Sequence, residues 1–302
     1  MTNPAVAAQS DPSHATLSQR ALLVRLTISQ WSGRSLDRTV TAEVARNHNV
    51  SSDTGRYHKA LVDKRDLEPI TKAVSALREH HYTETLPWLD DGARVLPTAN
   101  FFAYREKMYS LKDAFDRAVA DFVADYETIR SAAKLRLNTL YREADYPSDV
   151  GRMFGIRVGF LPFPDSQDLR VDLSGDTAES IRRTIERDVL AAAAGATADL
   201  YQRVSAVVGH MAERLRAYRI NPETDKVEGA FRDSLVENVR SLVDLLPRLN
   251  FTGDQHLADM VTQIRDTLCG FDAEVLRKDE GKRLDTLAAA DAILAQMGGY
   301  VG

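Results

Sequence analysis

The sequence predicts a mainly α protein: an elongated antiparallel helical bundle of two ~45-residue helices carrying a small β head. Three patterns predict it. Between Asn100 and Asp145 there is neither proline nor glycine, and Phe101, Tyr104, Met108, Leu111, Phe115, Val119, Phe122, Tyr126, Ile129, Ala133, Leu137 and Leu140 recur at steps of three and four. That is the spacing of one helix face. A second stripe follows Ser174-Gly175-Asp176, running from Ile181 through Val189, Ala196, Val204 and Met211 to Tyr218, and stops at Asn221-Pro222. At 1.5 Å per residue each stripe extends about 65 Å. Two equal helices, 101–145 and 176–221, are joined most economically as a hairpin. The third pattern is the interruption between them, FGIRVGFLPFPDSQDLRVDL at 154–173. Ile156, Val158 and Phe160 alternate with Arg157 and Gly159, and Leu169, Val171 and Leu173 alternate with Arg170 and Asp172, which predicts two strands around PFPDSQD.

Taken in order, residues 1–19 read as a flexible tail. ALLVRLTISQW (21–31) places Val24, Leu26 and Ile28 on one side and Arg25, Thr27 and Ser29 on the other, a half-buried strand ended by Ser32-Gly33. An isolated two-stranded hairpin is marginal in water, so this strand and the hairpin within 146–175 are expected to form the head together, with 20–100 as its α+β segment. A short helix is expected over 35–47, a loop over 47–55, and a helix over 66–82 with Asp66 as N-cap and Pro69 in its first turn. TETLPWLDDGARVLPTAN (83–100) reads as a loop pinned by Leu86, Trp88 and Leu96. Within 222–302, helices are expected at 227–246 (ended by Pro247), 254–268 and 271–297, completing the bundle, and the terminal GGYVG should fray.

The chain has 302 residues, 44% hydrophobic and 27% charged, with a net charge of −5. A lone cysteine, Cys269, excludes an internal disulfide and fits a reducing compartment. No basic-then-apolar leader is visible, and no apolar run approaches the ~18 residues of a membrane span. A soluble cytoplasmic protein is expected, with no membrane partner. The charge is uneven: residues 20–82 hold eleven Lys/Arg against seven Asp/Glu, while the rest is net acidic.

Few clusters suggest chemistry. His80 and Glu84, in HHYTE, would lie one turn apart on a helix but lack the paired-histidine spacing of a zinc site. Asp90-Asp91 precedes a glycine, where aspartates satisfy backbone donors. His210 adjoins the second stripe and reads as packed, and nothing around Cys269 suggests an activated thiol. Phosphate-binding glycine loops and a Gly-x-Ser-x-Gly elbow are missing. No enzyme activity, catalytic residue, metal or cofactor is expected. Two surfaces remain. Phe160, Leu161 and Phe163 cluster where a turn should be polar, and either cap the head or bind a partner. Arg25, Arg34, Arg38, Arg56, Lys59, Lys64 and Arg65, with Trp31 or Tyr57 for stacking, form a candidate nucleic-acid surface.

The segments LLVRLTISQWSGRSLD (22–37), TLPWLDDGARVLPTANFFAY (85–104) and EADYPS…FGIRVGFLPFPDSQDLRVDL (143–173) resemble the hallmark stretches of a family of uncharacterised bacterial and phage proteins. The resemblance covers about 20–215 and contains no catalytic signature. Members are encoded beside MoxR- or CobS-like AAA+ ATPases and CobT-like von Willebrand A-domain proteins. The resemblance therefore implies an adaptor or scaffold in an ATPase-driven system, with those two proteins as partners. A nucleic-acid-binding protein is the alternative, and the long helices allow a homo-oligomer.

Overall fold

The computed structural model describes residues 14–51, 53–89, 92–166, 175–221, 223 and 226–297. In chain order the elements are α1 (His14–Arg20), β1 (Ala21–Ser29), β2 (Arg34–Leu36), α2 (Arg38–Asn47), β3 (His58–Ala60), α3 (Lys64–Thr83), β4 (Leu86–Pro87), β5 (Arg94–Pro97), α4 (Phe101–Leu137), β6 (Gly155–Pro162), α5 (Gly175–Ala217), β7 (Arg219–Ile220), β8 (Val227–Glu228), α6 (Ser234–Leu249), α7 (Gln255–Leu268), α8 (Ala273–Lys278) and α9 (Glu280–Gln296). The protein is mainly helical with a small sheet ordered β4-β5-β1-β6. Two compact units divide the chain. The first comprises Met1–Arg25, Glu84–Phe102 and Phe160–Gly302, and the second Leu26–Thr83 and Ala103–Gly159.

In the first unit, β5 lies antiparallel between β1 and β4, with Leu22 opposite Leu96, Leu23 opposite Val95, and Val95 opposite Leu86. The expected loop over 83–100 is thus two strands and a single 3-10 turn. Its period-2 signal is absent because Val95, Leu96 and Pro97 are all buried. The expected tail contains α1, whose Leu17 is fully buried. Helix α5 packs chiefly on α9 and α6, and α7 packs on both α6 and α9. Leu200, Val204, Val208, Met211, Val239, Leu246, Ile264 and Ile293 form the centre of this core.

Several expectations are corrected here. The two long helices lie in different units, so the antiparallel helix pair is not what organises the fold. A stripe reports that a face is buried, not what covers it, and α5 is covered from several sides. Helix α4 stops at Leu137 because Asn138 adopts a left-handed φ of 46°. Helix α5 stops at Ala217, and the chain forms a short hairpin in which Arg219 opposes Glu228 and Ile220 opposes Val227. Helix α6 therefore starts at Ser234 rather than Val227, and it continues through Pro247, which removes one backbone bond in the last turn without ending it. The stretch 271–297 divides at Asp279, whose carboxylate caps α9 at Lys282 N. Of the expected tip hairpin, β6 is present, and the strand around Leu169, Val171 and Leu173 lies outside the described residues, as does the terminal GGYVG.

In the second unit, the end of β1 keeps its alternation, with Thr27 and Ser29 exposed. Gly33, at φ 63°, turns the chain into β2, where an added Cβ would crowd Val62 and Leu67. Trp31 packs 6.2 Å from Phe122 and 6.1 Å from Tyr126. Asp63, not Asp66, caps α3: its carboxylate accepts from Arg65 N, and Asp66 reaches back to Asp63 N. Asp66 supplies the return half of a capping box, while the Asp63 carboxylate binds one residue earlier, at Arg65 N.

Gly229 has φ 68°, and a Cβ there would overlap the carbonyl of Ala217. Gly229→Ala is expected to cost more than about 2 kcal/mol, since strain and clash act together. Chemical denaturation measures it, and a cost below about 0.5 kcal/mol would contradict the tight hairpin.

Candidate docking site on the second unit

The site begins with a buried charge. Lys59, on β3, has a side chain only 1% exposed. Its Nζ lies 3.2 Å from Asp37 Oδ2 and 2.7 Å from Asp145 Oδ2, and donates to Leu140 O at 2.7 Å. Two hydrogen bonds, to Asp37 Oδ2 and Leu140 O, and the short ion pair with Asp145 together surround the ammonium. Ser35 Oγ donates to Asp145 Oδ1 at 2.9 Å.

Asp37 is also the N-cap of α2, its Oδ1 accepting from Thr39 N and Val40 N at 3.1 Å each. Its own N–H donates to Tyr57 O at 2.9 Å, and Thr41 Oγ1 donates to Asp37 O and accepts from Tyr57 N. The Val40 N–H holds the Asp37 carboxyl below its usual range; burial opposes this shift, and Lys59 reinforces it. One aspartate thus fixes both the start of α2 and the position of Tyr57.

The other end of α2 closes by backbone alone. Asn49 takes a left-handed φ of 53°. Its N–H donates to Arg46 O and that of Val50 to Ala45 O, the bond pattern of a Schellman motif. Val50 is thereby folded back onto Ala45. Between α2 and the loop to Tyr57 lies a cavity of about 380 Å³, lined by Thr41, Val44, Ala45, His48, Val50, Ser51, Thr54, Gly55, Arg56 and Tyr57. No residue of α2 is buried. Val44, Val50 and Tyr57 are 46%, 45% and 40% exposed.

The expected nucleic-acid residues divide. Arg34, Arg38, Arg56, Lys64, Arg65 and Tyr57 are exposed on the second unit, and Arg56 and Tyr57 line the cavity. Lys59 and Trp31 are withdrawn, one into an ion cluster and the other into an aromatic core. Arg25 is exposed on the other unit. Val44, His48 and Val50 were not foreseen; the legible signal was a valine set in an otherwise polar loop, NHNVSSDTG.

The tip residues divide too. Phe163 is 4% exposed and packs 5.0 Å from Trp88 and 6.2 Å from Phe251, whereas Phe160 and Leu161 are exposed. His80 turns its Nε2 to Tyr104 O at 3.1 Å, and buried His81 Nδ1 meets Tyr104 OH at 2.9 Å. Burial pushes the Tyr104 phenol far above its ordinary range. Glu84 instead accepts from Asn100 Nδ2 at 2.8 Å, so the structure does not pair it with His80. Among the described residues no group of three or more His, Cys, Asp or Glu is placed to hold a metal ion. Asp90 and Asp91 lie outside the described residues. His210 is exposed rather than packed, one position off the buried phase of Val208 and Met211, and lines a second cavity with Arg214 and Asn238. Burial raises the Cys269 thiol pKa. Among the described residues no helix is long and apolar enough to cross a membrane.

No family model, curated protein or solved structure matches the chain.

Lys59→Met leaves two carboxylates without their cation and is expected to cost about 3–5 kcal/mol in urea unfolding. The lowered Asp37 pKa contributes stability that is complete above the unfolded value of about 3.9 and is lost as pH falls through the folded value. Unfolding from pH 6 down to pH 2 should show a shallower decline for Asp37→Asn than for wild type; parallel curves would refute the linkage. Phe163→Ser is expected to cost about 3–5 kcal/mol through cavity and hydroxyl burial, and Leu161→Ser less than about 0.5 kcal/mol.

Proposed function

We propose that this chain is a non-enzymatic adaptor or scaffold acting with a MoxR-type AAA+ ATPase system in the cytoplasm of a bacterium, or encoded by a phage. The observation that carries the adaptor reading is α2, a helix that buries none of its side chains and opens an apolar cavity to solvent. A ten-residue helix is marginal alone in water. Here an ion cluster and two caps hold it, and its apolar face is left for something else to cover. Exposed Phe160 and Leu161 offer a second contact surface at the end of β6. The ATPase and the von Willebrand A-domain protein enter as partners through the family resemblance of residues 22–37, 85–104 and 143–173.

Nucleic-acid binding is the second reading, favoured by Arg56 and Tyr57 at one cavity. The withdrawal of Lys59 and Trp31 weakens it, because fewer phosphates are neutralised and one stacking ring is lost.

Mixed with a MoxR-type AAA+ ATPase from the same genome, the full chain should co-elute in size-exclusion chromatography and change the ATP hydrolysis rate. Separate elution with an unchanged rate would remove the proposal. A low-salt gel shift with single-stranded and duplex DNA should show no complex, and a salt-sensitive shift lost in Tyr57→Ala would favour the second reading instead.

A further inference from the structure

We infer that the α2 cavity takes an acidic linear segment of a partner protein, anchored by one large apolar side chain. The inference rests on the adaptor reading only in taking the occupant to be a protein. Size comes first. A cavity of about 380 Å³ stands at the low end of small-ligand pockets, ~300–1,000 Å³. It suits a single aromatic or leucine side chain with its flanking backbone, and is far too small for a folded surface.

Lining chemistry comes next. Val44, Ala45, Val50 and the ring of Tyr57 supply an apolar wall, Thr41, Ser51 and Thr54 add hydroxyls, and Arg56 and His48 are its basic members, with no carboxylate in the lining. A cavity built to hold a polar ligand would surround it with donors and acceptors. This one sets an apolar wall against a few hydroxyls and a single guanidinium, that of Arg56.

Charge then selects the flanks of the anchor. Arg38 and Arg46 are exposed on α2 itself, and among the described residues no ion pair engages Arg38, Arg46 or Arg56. Glu43 and Arg46 lie about 150° around α2 from the lining face of Thr41, Val44, Ala45 and His48, which leaves Asp53 as the exposed acid in the loop beside the lining. Asp53 is held below its usual pKa by the Ser51 hydroxyl and by its own backbone N–H. Asp37, the other nearby carboxylate, is buried against Lys59 and presents no charge outward. The formal charge in the lining itself is the Arg56 guanidinium, with Arg38 exposed one turn before Thr41 on α2. Acidic residues flanking the anchor would meet those cations on the rim, adding steering and selectivity more than affinity. An apolar anchor inside a charged rim is the helix-in-groove or short-segment mode of peptide recognition.

The wall is also preorganised. Tyr57 is held through its backbone to Asp37 and Thr41, and Val50 through the left-handed turn at Asn49. A segment that binds here does not have to order the cavity first, which lowers the cost of binding.

The test is a selection of random twelve-residue peptides displayed on phage against the immobilised full chain. The same selection is run on Val44→Asp, and enriched peptides are then measured by fluorescence polarisation. Because Val44 is half-exposed, Val44→Asp should melt at the wild-type temperature. The expected peptides carry Phe, Leu or Trp flanked by Asp or Glu. Their affinity should fall about tenfold or more for Val44→Asp, as at a binding hot spot, and severalfold for Arg56→Glu and at raised salt. No enrichment, enrichment without acidic bias, or equal binding to Val44→Asp would each overturn the inference. So would a dT oligonucleotide that displaces the peptides at lower concentration than they bind, or a dimer in sedimentation that Val44→Asp dissolves, which would give the cavity to nucleic acid or to a second copy. An ATPase that does not bind leaves the peptide result standing. Peptide failure leaves an ATPase complex free to form through Phe160 and Leu161.

Discussion

A lysine ammonium with almost no contact with water, and three acceptors within 3.2 Å, sets the geometry of the second unit's surface. Taking such a charge out of water costs several kcal/mol, and only near-complete pairing offsets it. Lys59 achieves this by drawing on two separated stretches of chain: Asp37 before α2, and Leu140 and Asp145 after α4. Because Asp37 spends one carboxylate oxygen on Lys59 and the other on the first turn of α2, the buried charge and the exposed helix are mechanically one object. Tyr146, whose OH donates to Leu61 O at 2.8 Å, ties the same stretches a second time.

The first unit is held differently. Its core is apolar and helical, and its polar contacts are tethers at the edges of that core. Buried Tyr201 donates to Asp254 Oδ2 at 3.1 Å while the same carboxylate caps α7 at Leu257 N. Arg203 donates to Thr85 O at 2.8 Å and pairs with Asp199 at 2.7 Å, fastening β4 to α5. These bonds specify register; burial of the α5, α6, α7 and α9 faces supplies the stabilisation.

The first unit covers its helices on several sides, whereas the second leaves α2 without a fully buried side chain after fixing both of its ends. A helix that contributes nothing to a core yet is capped at each end is more costly to keep than a loop of the same length, unless its outer face is used. The adaptor role proposed above would use such a face, apolar at its centre and with Arg56 at its margin.

The sequence by itself determined whatever has a local physical cause. The strand expected over 21–31, and observed over Ala21–Ser29, followed from period-2 alternation, and the start of β6 from Ile156 to Phe160. The positions of the long helices followed from periodicity and the lack of proline and glycine; their ends did not, because Asn138 adopts a left-handed turn without glycine to announce it. The α2 site was half-legible: Arg38, Arg56 and Tyr57 were named, but a candidate cation and a candidate stacking ring, Lys59 and Trp31, went inside. Charge and aromaticity in a sequence carry no information about whether acceptors or rings will surround them. Only the tertiary structure decided that, by bringing Asp145 to Lys59 and Phe122 to Trp31 across intervals of 86 and 91 residues. It likewise decided that α5 packs on α6 and α9, since a buried stripe is the same sequence pattern whichever helix covers it.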